Sequence, residues 1–439
     1  MQTETRPAVP RVQRPDRRQL LLCPQDLEAS LPDDHAARAV WAYVEGLDLA
    51  ELYGAIKAVE GAPGRTPIDP ALLLALWLYA TAEGVGSARR LEALCEAHAA
   101  YRWLCGSVPV NYHTLSDFRV NHAALLERLL VHGVAVLMHE GLVQMTVVAQ
   151  DGMRVRAAAG ASSFRRASTL AQCLEAAEAQ VAALKREVEA DPSALTRREQ
   201  AARARAARER EERVKRALSQ AVALQAQQEK AKDNGKNKDG DGKPKRETRA
   251  SSTDPEATVM KMSDGGFRPA YTVQFATAVG SRVVLGVAVS SRGTEDGQLE
   301  SMYETLQRAY GQGPIEVLAD GGYAHKQSIE RLWRHEPPCA VYAPVKAPRN
   351  PNNDAYAPKY GDGPGVVAWR ERMATVEART LYRRRGETAE WPNARARQRG
   401  LQQFTVRGAL KVRAVALLQA LTHNLFEGLR LRRLALQAA

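Results

Sequence analysis

The chain has 439 residues, 45% of them hydrophobic, and 62 Lys and Arg against 50 Asp and Glu give it a formal net charge of +12. That composition excludes a disordered or fibrous chain and leaves room for about two or three domains of roughly 150 residues each. The basic balance suits a polyanionic partner such as nucleic acid or an anionic membrane surface, and no apolar run reaches the roughly 18 residues of a spanning helix.

In chain order, residues 1–15 are expected to be disordered. Leu20 to Cys23 is too short an apolar stretch for a signal peptide, so a soluble cytoplasmic protein is expected. Residues 16–140 read almost wholly as helix and form an all-α N-terminal domain. Asp69-Pro70 supplies an N-cap and first helical position before the run "ALLLALWLYA". In "EGVGSARRLEALCEAH" a glycine-rich turn precedes Ser87 as a cap, so two helices meet at a short turn with Arg89 and Arg90 at the start of the second. This is the outline of a helix-turn-helix, and an ordinary bundle corner has the same outline. In "YHTLSDFR", Thr114 and Asp117 have capping-box spacing and start a helix toward Leu130, with Arg119 as either a phosphate contact or a solvated charge.

Cys23, Cys95, Cys105, Cys173 and Cys339 form no CxxC pair and are odd in number, which points to reduced core residues. The group Cys95, His98, Cys105 and His113 matches no standard zinc spacing.

From Val143 the pattern becomes β-branched and partly alternating. "VQMTVVAQDGMRVRA", "YTVQFATA", "VVLGVAVSS", "IEVLADGGY" and "CAVYAPV" are five strand candidates, with a helix from about Lys326 to His335. They make a mixed α/β domain over 141–159 and 269–430, interrupted by a segment at 160–268. In that segment Leu170, Leu174, Ala177, Val181, Leu184 and Val188 recur at alternating spacings of four and three, predicting an amphipathic or coiled-coil helix that pairs with an arginine-rich helix over about 196–230. A flexible basic loop follows over about 229–250, able to touch a phosphate backbone or simply to stay solvated. The C-terminal region is strongly basic, with helical periodicity near Glu387 to Arg397 and again from Ala409, and residues 431–439 are read as a tail.

Two strands run into an Asp followed by glycine, at "VVAQDG" (Asp151) and "VLADGG" (Asp320). A carboxylate at a strand exit is rigidly held, and the glycine permits close approach, although Asp-Gly is also a common turn. Asp254 in "SSTDPEA" and Asp264 in "MSDGGFRP" read as loop turns, Asp296 in "TEDGQL" as a helix N-cap, and His325 as a surface histidine.

The ordered set "QDGMRVRA", "SSTDPEATVMKMSDGGFRPAYTVQFAT", "DGQLESM", "LADGGY", "LYRRRGETAEWPNARARQRGLQQFTVRG" and "KVRAVALLQALTHNL" resembles bacterial insertion-sequence transposases of the DDE type, in the insertion-sequence 1182 branch of the wider 5 and 4 groups. The resemblance spans about residues 16–430. It implies a ribonuclease-H-like core in which Asp151, Asp320 and Glu390 are catalytic and bind two Mg²⁺ or Mn²⁺ ions. The family's Tyr, Arg, Glu and basic-residue signature maps to Tyr382, Arg385, Glu390 and Arg397. Four residues separate Arg385 from Glu390 where the broader group has three; Glu387 is the competing candidate, but it would put Ala394 where the signature wants a basic residue.

With Arg89, Arg90 and Arg119, the residues Tyr382, Arg385 and Arg397 are the expected DNA contacts. The implied partners are the element's terminal inverted repeats and target DNA, with a homodimer or higher synaptic complex acting on the nucleoid. A DNA-binding remnant or repressor without catalysis, and a nuclease of the same fold, are the alternatives.

Overall fold

The computed structural model describes residues 26–58, 66–190, 196–233, 247–348, 350 and 352–438. The expected tail at 1–15, Cys23 and most of the basic loop (234–246) lie outside the described residues.

Seven helices come first: α1 (Ala36–Glu45), α2 (Ala50–Gly54), α3 (Pro70–Ala82), α4 (Ala88–Ala97), α5 (Ala99–Cys105), α6 (Tyr112–Asn121) and α7 (Ala123–His139). Asp69 accepts a hydrogen bond from the Ala71 N–H and Pro70 occupies the first turn of α3, as their residue types demand. This helix is apolar on every side, so it runs through the core rather than over it. Ser87 caps α4 through the Arg90 N–H. The expected start of the next helix is corrected: Asn111, not Thr114, is the cap of α6, and it accepts from the Thr114 N–H and hydroxyl. The run toward Leu130 is also broken, since α6 and α7 meet at His122 with a 66° bend. No single helix among the described residues is long and apolar enough to cross a membrane.

The chain then enters β1 (Val147–Arg156) and β2 (Phe164–Arg166), followed by the long helices α8 (Ala167–Ala190) and α9 (Arg197–Asp233) and the short strand β3 (Arg249–Ser251). Helices α8 and α9 pack antiparallel: Leu170 meets Ala217 and Ala221 near the base, and farther out Gln180 accepts from Arg210. Next come β4 (Thr258–Lys261), β5 (Phe267–Ala278), β6 (Val284–Ser290), α10 (Gln298–Tyr310), β7 (Glu316–Leu318), α11 (Lys326–Trp333), β8 (Ala340–Tyr342), α12 (Pro364–Ala374), α13 (Val376–Gln398) and α14 (Ala409–Ala438). Strand β4 falls within the segment expected as an insertion, yet it is a strand of the main sheet. Residues 431–438 continue α14 rather than forming a separate tail.

The main sheet is mixed. Its centre is β1, antiparallel to β5 on one side and parallel to β7 on the other; β8 continues in parallel beyond β7, while β4 and β6 both pair with β5. On the outer side of β6, α14 covers the strand edge. Asn424 accepts from the Val284 N–H at 2.8 Å and donates to its carbonyl at 2.7 Å, filling hydrogen bonds that a further strand would otherwise make.

One apolar cluster joins Leu74, Trp77 and Leu126 of the helices, Val155 and Tyr271 of the sheet, and Leu417 and Leu421 of α14. The core therefore runs across residue 140, where the chain passes from helix to strand. At its heart, Trp77 is 1% exposed and donates from Nε1 to the Leu115 carbonyl at 2.9 Å. Trp77→Ala is expected to cost about 3–5 kcal/mol, chiefly because it opens a cavity in the core. A melting temperature lowered on the order of 5–10 °C, read by circular dichroism, checks this.

Candidate active site

The register of β1 on β7 pairs Val147 with Glu316, Val148 with Val317 and Ala149 with Leu318. Carried on by two residues, that register points Asp151 and Asp320 to the same face at the same level, and the Asp320 charge reaches the Asp151 carboxyl. Asp320 stands where expected, just past the end of β7, and its Oδ1 accepts from the Gly322 N–H at 2.7 Å. Asp151 does not end its strand: β1 continues to Arg156, with Asp151 opposite Phe275 and Gly152 opposite Gln274 of β5. Only the β7 side of the ladder stops, so Asp151 faces a gap in a sheet that is otherwise continuous. Gly152 has a packing reason to be glycine, because a Cβ there would sit 3.0 Å from the Tyr323 hydroxyl and 3.1 Å from Thr272.

Helix α13 packs on β1 and β5 and closes the site from one side. Asn393 donates to Asp151 Oδ2 at 3.0 Å. One Arg385 nitrogen lies 3.9 Å from Asp151 Oδ1 and another 3.4 Å from Glu390 Oε1, while the guanidinium lies 6.0 Å from the centre of the Tyr382 ring. Arg385 thus bridges the expected first and third carboxylates. Glu390 is turned toward this arginine with its side chain 63% exposed, and it does not converge on the two aspartates. Glu387 points elsewhere and lies 4.0 Å from Arg384.

Burial pushes the Asp151 carboxyl above the usual range, and the Asp320 charge pushes it further; the Gly152 N–H, the Arg385 guanidinium and Asn393 pull the other way. Glu295, from the loop before α10, is raised in the same way: first by burial, then by the charges of Asp320 and Asp151, against the pull of Arg154. Arg385 loses water, which opposes its charge, yet Tyr382, Asp151 and Asp320 hold its pKa above the ordinary value.

Among the described residues, no three His, Cys, Asp or Glu side chains are grouped as a metal would bind them. The donor chemistry of Asp151 and Asp320 nonetheless fits a hard divalent cation: oxygen ligands on one face, destabilised by mutual repulsion that a cation would relieve. Glu390, held by Arg385, is outside that pair.

The other expected residues are placed as follows. Arg397 is exposed near the end of α13, and Arg89 and Arg90 are exposed at the start of α4, where Arg89 lies 5.0 Å from the centre of the Tyr112 ring. Arg119 is a correction: neither a phosphate contact nor a solvated charge, it is 6% exposed, stacks 4.4 Å from the centre of the Trp77 ring and donates to the Gly86 carbonyl. Burial draws its pKa down to about 10. Asp254 is buried and accepts from the Tyr271 hydroxyl and the Gly408 N–H, tying β5 to the start of α14. Asp264 holds Arg268 and the Gly266 N–H in a turn. Asp296 does not cap α10: its cap position is Gly297, with no side-chain cap, and Asp296 lies 3.7 Å from His325. Cys95 and Cys105 are free thiols buried in the core, and His98 caps α5.

The sequence reading missed Glu295, Asn393 and Tyr323. Each is separated from Asp151 by more than a hundred residues, and no local pattern distinguishes them; the only signal was their proximity to quoted motifs, "TEDGQL", "WPNARAR" and "DGGY".

The raised pKa of Asp151 means that ionising it in the folded protein costs stability. The penalty enters as pH rises from the ordinary value of 3.8 through the raised folded value. Asp151→Asn keeps an acceptor for Asn393 and removes the charge, so in EDTA at pH 7.5 it is expected to melt above the wild type. At a pH near 3.8 the difference should shrink, which paired melting curves at the two pH values would check.

Residues 25–121 match a family model described as Transposase domain (DUF772). No curated protein and no solved structure matches the chain. The match falls on the helical N-terminal part, and it supports a transposase function and DNA as partner.

Proposed function

We propose that the chain is a DDE transposase of the insertion-sequence 1182 kind, which cuts DNA at the terminal inverted repeats of its element and joins the freed strands to target DNA. The observation that carries the reading is the register that brings Asp151 and Asp320 together at the interrupted side of β1. The strand order, with β6, β5 and β1 antiparallel and β1, β7 and β8 parallel, supports a ribonuclease-H-like core. The transposase-domain match supplies the independent support.

Phosphodiester cleavage is an in-line displacement: a water oxygen bonds to phosphorus and gives up a proton, the bond to the leaving 3′ oxygen breaks, and that oxygen takes up a proton from solvent to become a hydroxyl. In the joining step the freed 3′ hydroxyl takes the place of water. Bound Mg²⁺ or Mn²⁺ ions, two per site, would supply charge neutralisation and a more acidic water. Asp151 and Asp320 would hold the cation, with Asn393 fixing the Asp151 rotamer. Glu390 would join them once DNA is bound, when a phosphate competes for Arg385 and releases the carboxylate. Arg383, Arg384 and Arg397, exposed on α13, together with exposed Arg89 and Arg90, would take the DNA backbone, and Tyr382 would stack on or bond to DNA. The protein would work on the nucleoid as a dimer or higher synaptic complex, since two element ends must be held together.

A binding-only remnant is the second reading, favoured by the open arrangement in which Glu390 pairs with Arg385. Mg²⁺-dependent nicking of labelled DNA carrying the flanking repeats separates the two. Asp151→Asn, Asp320→Asn and Glu390→Gln are each expected to lower nicking by at least about a thousandfold while binding stays within a few-fold, and Glu387→Gln to cut like the wild type. Binding of the repeats by the wild type without cutting in either Mg²⁺ or Mn²⁺ would overturn the enzyme reading. Cutting without strand joining would leave a nuclease.

A further inference from the structure

We infer that the outer half of the α8–α9 hairpin is a self-association surface, taking the same hairpin of a second copy of this chain. The inference gives a surface to the assembly that the proposed function calls for, but it rests on the two helices alone and holds whether or not the chain cuts DNA.

The hairpin is closed at its base and open farther out. At the base Leu170, Ala217 and Ala221 are buried together with Ala250 of β3, and Thr248 donates to the Ala221 carbonyl, so a third element completes the packing. The seam then runs outward on α8 through Leu174, Val181, Leu184 and Val188, the spacing of a helix that faces a coiled-coil partner. The apolar residues that α9 sets against its outer part are the alanines Ala201, Ala204 and Ala207. Methyl groups do not fill the space in front of these branched side chains, and a groove of about 430 Å³ is left, lined by α8 and α9 alone among the described residues. Val188 is 38% exposed, and Val181 and Leu184 are only partly buried. Helices of this kind take their stability from covering such a seam, and this pair leaves it half covered.

The charges on the rim say what covers it. Helix α8 carries four glutamates against one lysine and one arginine, whereas α9 between Arg197 and Arg210 carries six arginines against two glutamates. One rim pair is made within the hairpin, Glu187 with Arg203 at 3.8 Å; Glu189, Arg197 and Arg208, also on the rim, have no ion-pair partner among the described residues. A second hairpin related by a two-fold axis would set acidic α8 against basic α9 twice over and cover the apolar groove of both copies, giving a four-helix arrangement. The same surface thus carries both halves of its own complement. A DNA backbone would suit the arginines of α9, but not a groove of valine, leucine and alanine with Glu187 and Glu189 of α8 along its edge.

Sedimentation equilibrium of the full-length, DNA-free protein tests this, with wild type beside L184E, E189R and R208E, and with the last two mixed in equal amounts. The wild type is expected to be a dimer that L184E reduces to monomer. Leu184 also lies in the hairpin's own seam, so the two rim variants, checked for unchanged helicity by circular dichroism, carry the test independently. Each alone is expected to raise the dimer dissociation constant by about tenfold or more, and their mixture to return to within about threefold of the wild type, since the reversed charges then face opposite signs across the pair. A wild type that stays monomeric, a dimer that all three variants form as readily, or a mixture that stays dissociated would overturn the inference. So would an R208E protein that dimerises normally but binds DNA about tenfold more weakly, which would make the rim a DNA contact. Cleavage is read separately by nicking, so the proposed reaction stands or falls on its own.

Discussion

Two like charges on neighbouring parallel strands are the constraint around which this molecule is arranged. Asp151 and Asp320 lie two residues past the last shared rung, on the same face, and the Asp320 charge reaches the buried Asp151 carboxyl. The surroundings meet this repulsion with what lies within reach: a guanidinium from Arg385, an amide from Asn393 and the N–H of Gly322. Each of these draws the Asp151 carboxyl back toward its ordinary range or fixes the position of Asp320.

Such a site must be stabilised from elsewhere, and the scaffold is built accordingly. Helix α14 reaches the helical part and the sheet at once, and the Asn424 amide satisfies the edge of β6. Trp77, Tyr271 and Leu417 share one core, so the helices that match the transposase-domain model and the sheet that carries the aspartates are held by common packing. The turn between α3 and α4 makes the same connection at closer range. Gly84 and Gly400 both have left-handed φ values, and their backbones approach so closely that a Cβ on Gly400 would lie 3.1 Å from the Gly84 carbonyl oxygen. The end of α13, which carries Glu390 and Arg397, is thereby tied to the start of α4, which carries Arg89 and Arg90.

Arg119 and Arg385 show how one residue type serves opposite purposes. Arg119 is stacked on Trp77 and bonded to a carbonyl, with its charge partly suppressed by burial. Arg385 is placed among carboxylates that reinforce its charge. From the sequence both are helical arginines near a quoted motif, and only the surroundings separate a packing group from an electrostatic one.

What the sequence by itself determined is local: Asp69 and Ser87 as caps, the alternation that became β1, β5 and β6, the helical spacing that became α8 and α9, and the two Asp-Gly steps. Those features depend on neighbours within a few residues, which a chain carries with it wherever it folds. The tertiary structure alone decided that Asp151 lies within a strand rather than at its end, because that depends on β5 pairing with β1 as far as Arg156. It also decided that Arg119 is buried, that Glu390 faces Arg385, and that Glu295 lies against Gly322. Each of these is a contact between segments far apart in the chain, fixed by strand register and helix packing, and no spacing within either segment encodes it.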